Sequence, residues 1–142
     1  MSATSTPMRS TCHCGAITVT VNRLPKYINV CQCTLCRRYG VAWGYYHPDE
    51  VKLEKKPNAA TKRYIWGDKT ASFEFCDHCG CMCYWWPLEP PTDGSKYQMG
   101  LNTNNMNPEL LKYVDRTWEY AQLRMALGSK ELAHSEDLAE YL

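Results

Sequence analysis

The sequence predicts a mainly β domain held together by bound metal, and three observations lead there. Short runs of β-branched and aromatic residues alternate with polar ones, helix signals are scarce before Asn107, and nine cysteines cluster tightly near the ends of the runs. The 142 residues suit one domain with its own core. A composition that is 44% apolar and 12% aromatic is globular rather than disordered. No internal repeat, low-complexity tract or linker divides it.

Taken in order, "MSATSTPMRST" lacks the hydrophobic stretch of a signal peptide, so residues 1–9 are expected to be a short flexible tail in a cytoplasmic protein. "AITVTVN" alternates as a strand should. "YINV" and "VAWGYYH" read as strands on either side of "CQCTLCRRYG". "TKRYIWG" and "ASFEFC" read as a hairpin around Gly67–Asp68, with a turn longer than two residues. Residues Lys52 to Lys62 look like a solvated charged loop, and the prolines after "CYWWP" mark another before the strand "KYQMGLN". Asn107 and Pro108 open a short helix over "NPELLKY", while "SEDLAEYL" is helical or frayed.

A formal net charge of +1 gives no reason to expect nucleic acid or an anionic membrane as partner, and no apolar run approaches the roughly 20 residues of a membrane span. The cysteines carry the chemistry. Their count is odd, and C-x-C and C-x-x-C spacings bring thiols side by side around a metal ion rather than into disulfides. "CDHCG" reads as a zinc knuckle, in which the glycine lets nearby amides turn toward the thiolates. Cys76 and Cys79 supply two ligands there, and Cys12 and Cys14 of "CHCG" supply two more. Four thiolates close the shell, so this zinc is structural, and His13 and His78 are not needed.

Cys31, Cys33 and Cys36 make only three. A three-thiolate zinc keeps an open position and suits an incoming thiol, which it holds as thiolate at neutral pH. The competing possibility is that Cys81 or Cys83, which alternate with Cys79, closes this site as a second inert one.

The ordered motifs C-x-C-G, C-x-C-x-x-C-R-R and F-C-x-x-C-G, from about Ser10 to Trp118, resemble the glutathione-dependent formaldehyde-activating enzymes and their centromere protein V relatives. The resemblance implies a zinc-bound Mss4-like fold of several coiled antiparallel sheets over residues 10–125, with short helices near the C-terminus and an extension over 126–142. It implies two zinc ions per chain, structural on Cys12, Cys14, Cys76 and Cys79 and catalytic on Cys31, Cys33 and Cys36. It also implies a reversible carbon–sulfur lyase acting on a thiol adduct of the S-hydroxymethylglutathione type. Cys81 after the knuckle glycine and "NTNN" in the later turn depart from the family pattern.

Arg37 and Arg38 are placed to clamp a carboxylate of a glutathione-like substrate, or else to offset thiolate charge, and Tyr39 is a candidate beside them. Trp43, Tyr45, Tyr46, Tyr84, Trp85 and Trp86 are either pocket or core. His47 is a weak candidate for a general base. The rival function is a non-catalytic module with two structural zincs that binds a protein partner.

Overall fold

The structure is a computed structural model that describes residues 6–119. Among the described residues ten strands form two sheets. The smaller sheet has the order β1-β2-β5, from β1 (Met8–Thr11), β2 (Ile17–Val21) and β5 (Lys52–Lys55). The larger contains β3 (Ile28–Cys31), β4 (Trp43–Tyr46), β6 (Thr61–Tyr64), β7 (Ala71–Cys76), β8 (Met82–Pro87), β9 (Met99–Asn102) and β10 (Arg116–Glu119). Its order is β10-β3-β4-β9-β8-β7-β6. The only helices among the described residues are one α turn, α1 (Cys36–Tyr39), and three 3-10 turns at Pro48–Glu50, Thr103–Asn105 and Pro108–Leu111.

Strand alternation divides the core in two. Ile17, Val19 and Val21 of β2 pack against Ile28, Tyr46, Tyr84, Met99 and Leu101, on one face of the large sheet. Trp43 and Phe73 belong to the other face, where they pack with Cys31, Cys33 and Cys36. The smaller sheet therefore covers one side of the large sheet, and the three-cysteine motif lies on the other.

The expected strands and the β6–β7 hairpin are present; Gly67 and Lys69 in its turn adopt φ of 65° and 60°. Four features differ from the sequence reading. Met8 and Arg9, assigned to the tail, pair with Val21 and Thr20, because β2 offers a free edge that a four-residue strand can satisfy. Lys52–Lys55 is an edge strand on β2 rather than loop; its side chains are exposed, so hydrophobic alternation could not reveal it. The pairing is antiparallel throughout except that β10 runs parallel to β3. The "NPELLKY" helix is a 3-10 turn over Pro108–Leu111, with Asn107 as its cap accepting from the Glu109 N–H at 3.0 Å. The expected C-terminal extension lies outside the described residues.

Candidate metal centres

The first cluster joins the two sheets. Cys12 and Cys14 lie in the β1–β2 turn, closed by the Gly15 N–H donating to the Cys12 carbonyl at 2.9 Å. Cys76 and Cys79 lie in the β7–β8 turn, where the Gly80 N–H donates to the Cys76 carbonyl at 2.9 Å. Gly15 and Gly80 both need positive φ, 81° and 78°, which a side chain would strain. The four sulfurs lie within 4.8 Å of one another, with Cys12–Cys14 and Cys14–Cys76 each 3.6 Å apart. Ligands at about 2.3 Å from a tetrahedral zinc stand about 3.8 Å from each other, whereas a disulfide would need about 2.05 Å. All nine thiols are free. The spacing fits a metal and not a cross-link.

The second cluster is assembled locally. Cys31 ends β3, and Cys33 and Cys36 flank the entry to α1, with all three sulfurs within 4.8 Å of one another and all three residues buried. Gly40 ends the turn in the left-handed conformation, its N–H donating to the Cys36 carbonyl at 3.0 Å. Asn104 holds this end in place by donating to the Gly40 carbonyl at 2.6 Å. The sulfurs are themselves acceptors. The Cys36 N–H reaches Cys33 Sγ at 3.2 Å, and the Trp43 indole N–H reaches Cys36 Sγ at 3.3 Å.

Among the described residues no fourth Cys, His, Asp or Glu joins this group. Cys81 and Cys83 belong to neither cluster. Cys83 packs in the core beside Cys12 and Cys76, and its Sγ donates to the Cys81 carbonyl at 3.3 Å. Burial pushes the Cys83 thiol up to about 12, which makes it inert.

Three adjacent sulfurs cannot all ionise unaided. Cys33 takes the charge: the Cys31 and Cys36 thiols that donate to it hold it down to about 3, against the effect of burial. Cys31 is pushed up to about 11, first by its bond to Cys33, and Cys36 is pushed up by Cys31 and Cys33. In the four-cysteine cluster Cys79 is held down to about 5; burial opposes its ionisation, but the N–H groups of Cys81 and Cys14 and the thiols of Cys14 and Cys76 together outweigh it. Full ionisation of either set calls for a cation in its centre.

The remaining candidates separate by position. Arg37 and Arg38 are exposed on α1, and Arg38 donates to the Thr34 carbonyl at 2.8 Å. Tyr39 is half-buried, its ring 6.5 Å from that of Phe73. Trp43, Tyr46 and Tyr84 are core, while Tyr45 and Trp85 pack at the edge of the three-cysteine cluster. His47 caps the Pro48–Glu50 turn, accepting from the Asp49 N–H at 3.1 Å. His13 and His78 are exposed and join neither cluster. The sequence reading named Trp43 only as pocket or core and did not foresee that it donates to Cys36, nor that Asn104 holds the Gly40 end, since neither neighbours a cysteine in sequence.

Two cysteine clusters that could each hold a metal ion, one of four thiols and one of three among the described residues, stand on a two-sheet β scaffold. The chain belongs to the glutathione-dependent formaldehyde-activating enzyme family, whose sequence model matches residues 7–116. Among solved structures it is similar to the crystal structure of a Rhodobacter sphaeroides protein, with 27% sequence identity and a TM-score of 0.60, over 78% of this chain and 100% of that one. Comparison with curated protein sequences gave no match. The family points to an enzyme-like function linked to glutathione and formaldehyde.

Proposed function

We propose that the protein is a zinc-dependent carbon–sulfur lyase that forms and cleaves a thiol adduct of the S-hydroxymethylglutathione type. The observation that carries this reading is the three-cysteine cluster with no fourth protein ligand beside it among the described residues. Two zinc ions per chain and an Mss4-like arrangement of the sheets go with it. Cys12, Cys14, Cys76 and Cys79 hold the structural ion, and Cys31, Cys33 and Cys36 hold the catalytic one.

When bound at the second site, zinc supplies a Lewis acid that favours the thiolate form of an incoming thiol. The chain's own residues prepare the position. N–H groups of Cys36 and Trp43 draw charge from Cys33 and Cys36, which leaves the centre less electron-rich. Val41, Trp43, Phe73 and Met82 pack around the sulfurs and keep water off their inner side. Arg37 and Arg38 offer exposed positive charge for an anionic substrate, with Tyr39 beside them. Addition of the thiolate to an aldehyde carbon forms one carbon–sulfur bond and leaves an oxygen that takes up a proton. Cleavage is the reverse. A reducing compartment such as the cytoplasm suits nine free thiols and a thiol substrate.

The test pairs two variants. Cys76→Ser should give insoluble or unfolded protein, because the tie between the sheets is lost. Cys33→Ser should remain folded, with one metal equivalent fewer and no acceleration of glutathione–formaldehyde exchange measured by magnetization transfer. If Cys33→Ser unfolds like Cys76→Ser, both sites are structural and the non-catalytic module is the better description.

A further inference from the structure

The three-cysteine cluster lies at one end of a strip on the large sheet. Tyr27 just precedes β3, and Tyr27, Asn29 and Cys31 alternate onto one face. Asn29 pairs with Trp43, and Tyr45 continues that face on β4. The Tyr45 ring lies 5.8 Å from Tyr27, and its hydroxyl accepts from Asn29 Nδ2 at 2.6 Å. From Cys31 to Tyr27 is four residues of strand, on the order of 13 Å.

Beyond Tyr27 and Tyr45 the surface opens into a cavity of about 470 Å³, with Arg23, Lys26, Lys96 and Tyr97 in its wall. Glu50, which also lines it, neutralises Arg23 through two hydrogen bonds of 2.8 and 2.9 Å, and the guanidinium stacks on Tyr46 at 4.4 Å. Lys26 and Lys96 have no ion-pair or hydrogen-bond partner among the described residues, so the cavity keeps two uncompensated positive charges. Neither Arg37 nor Arg38 lines it.

The strip itself has unused hydrogen-bonding capacity. Asn29 is 6% exposed and its Oδ1 is buried without a partner; whichever way the amide is turned, one of its polar atoms is left over. Trp85 packs edge-on against Tyr45, and its indole N–H is also buried and unpartnered. Trp85 sits this close to the sheet because residue 100 is glycine: a Cβ there would stand 2.0 Å from Trp85 Nε1. An unpaired acceptor and an unpaired donor flank the same tyrosine, between the cysteines and the cationic cavity.

We infer that the cavity at Lys26 and Lys96 is the subsite for the carboxylate end of an extended thiol, whose sulfur reaches the Cys31 cluster and whose amide passes Asn29 and Trp85. This rests on the reading of the cluster as a thiol site and adds where the rest of the molecule lies. A carboxylate there gains two ammonium partners, and an amide in the strip satisfies both orphaned atoms. The arginines of α1 then lie at the opposite end of the ligand from the carboxylate subsite.

Two measurements separate the inference from the reading beneath it. In the first, cobalt-loaded protein is titrated with glutathione and with 2-mercaptoethanol, a neutral thiol, following the thiolate-to-metal absorption. Wild type should favour glutathione by roughly five- to tenfold, and Lys26→Glu/Lys96→Glu should bring the ratio of the two affinities close to one. A double variant that keeps the preference overturns the inference. A spectrum that ignores both thiols overturns the thiol-site reading instead. The second uses S-methylglutathione, which has no thiol to offer a metal, with ¹⁵N-labelled zinc-loaded protein. Amide shifts should appear at Tyr27 and at Lys96 to Gln98; shifts confined to Arg37 to Tyr39, or none, overturn the inference whatever the cobalt experiment shows.

Discussion

At the scale of single residues, Trp43 ties the sheet to the three-cysteine cluster. Its indole is fully buried and its N–H is the side-chain donor to Cys36 Sγ. Trp43→Phe keeps an aromatic ring but deletes the donor and part of the volume. We expect a loss of about 1–3 kcal/mol in urea unfolding of the zinc-loaded protein. The cobalt–thiolate absorption of that variant should also move to lower energy, because a sulfur that no longer accepts a hydrogen bond holds its electrons less tightly. An unmoved band would show that this contact does not tune the metal. The cysteine types and their spacing already mark the two ligand sets in the sequence. Trp43 is not legible in that way, since it reaches Cys36 across the chain reversal that Gly40 creates.

At the scale of elements, short strands depend on what fastens their ends. Glu50, in the turn after β4, accepts from Arg23 in the connection after β2 and from the His47 N–H at 2.7 Å. Its carboxyl is held down to about 2, first by the Arg23 hydrogen bond. A depressed pKa contributes stability that is present above the unfolded carboxylate range and is lost as pH falls through the folded value. The stability difference between wild type and Glu50→Gln should therefore be constant near neutrality and shrink from about pH 4.5 toward pH 2. It should be modest, because the pair is partly exposed. A difference that grows on acidification would mean that Glu50 acts through its neutral form. Most strands read correctly from sequence have a buried face, β2, β3, β4, β7 and β9; β6 is exposed and was legible only through its hairpin with β7. β5 was invisible because all four of its residues are exposed and it is recruited only by the free edge of β2.

For the whole molecule, the two clusters sit differently in the fold, and the proposed difference in their roles follows from that. The four-cysteine cluster joins turns from different sheets, so a metal held there would help to hold the sheets together. The three-cysteine cluster is built within one chain reversal on the outer face of the large sheet. We expect two zinc ions per chain by elemental analysis, one removed by mild chelation with the sheets intact by circular dichroism, the other released only with unfolding. One tightly held zinc and no second would remove the basis of the catalytic assignment.

The sequence alone determined the ligand chemistry and the mainly β class, because thiolate spacing and strand alternation are local properties that need no partner to be recognised. The three motifs in order were also enough to point to the family. Which face of the large sheet the smaller sheet covers was decided by tertiary structure, since β2 presents Ile17, Val19 and Val21 to whichever surface buries them best. That choice leaves the face with Cys31, Cys33 and Cys36 uncovered by the smaller sheet, and it sends Cys83 into the core instead of to either cluster. The fourth ligand position is set the same way. Cys81 and Cys83 have the right chemistry and a suggestive spacing, but the β7–β8 turn carries them to the far side of the sheet from Cys31. Spacing brings ligands together only within one segment; between segments, the packing of the sheets fixes the distances.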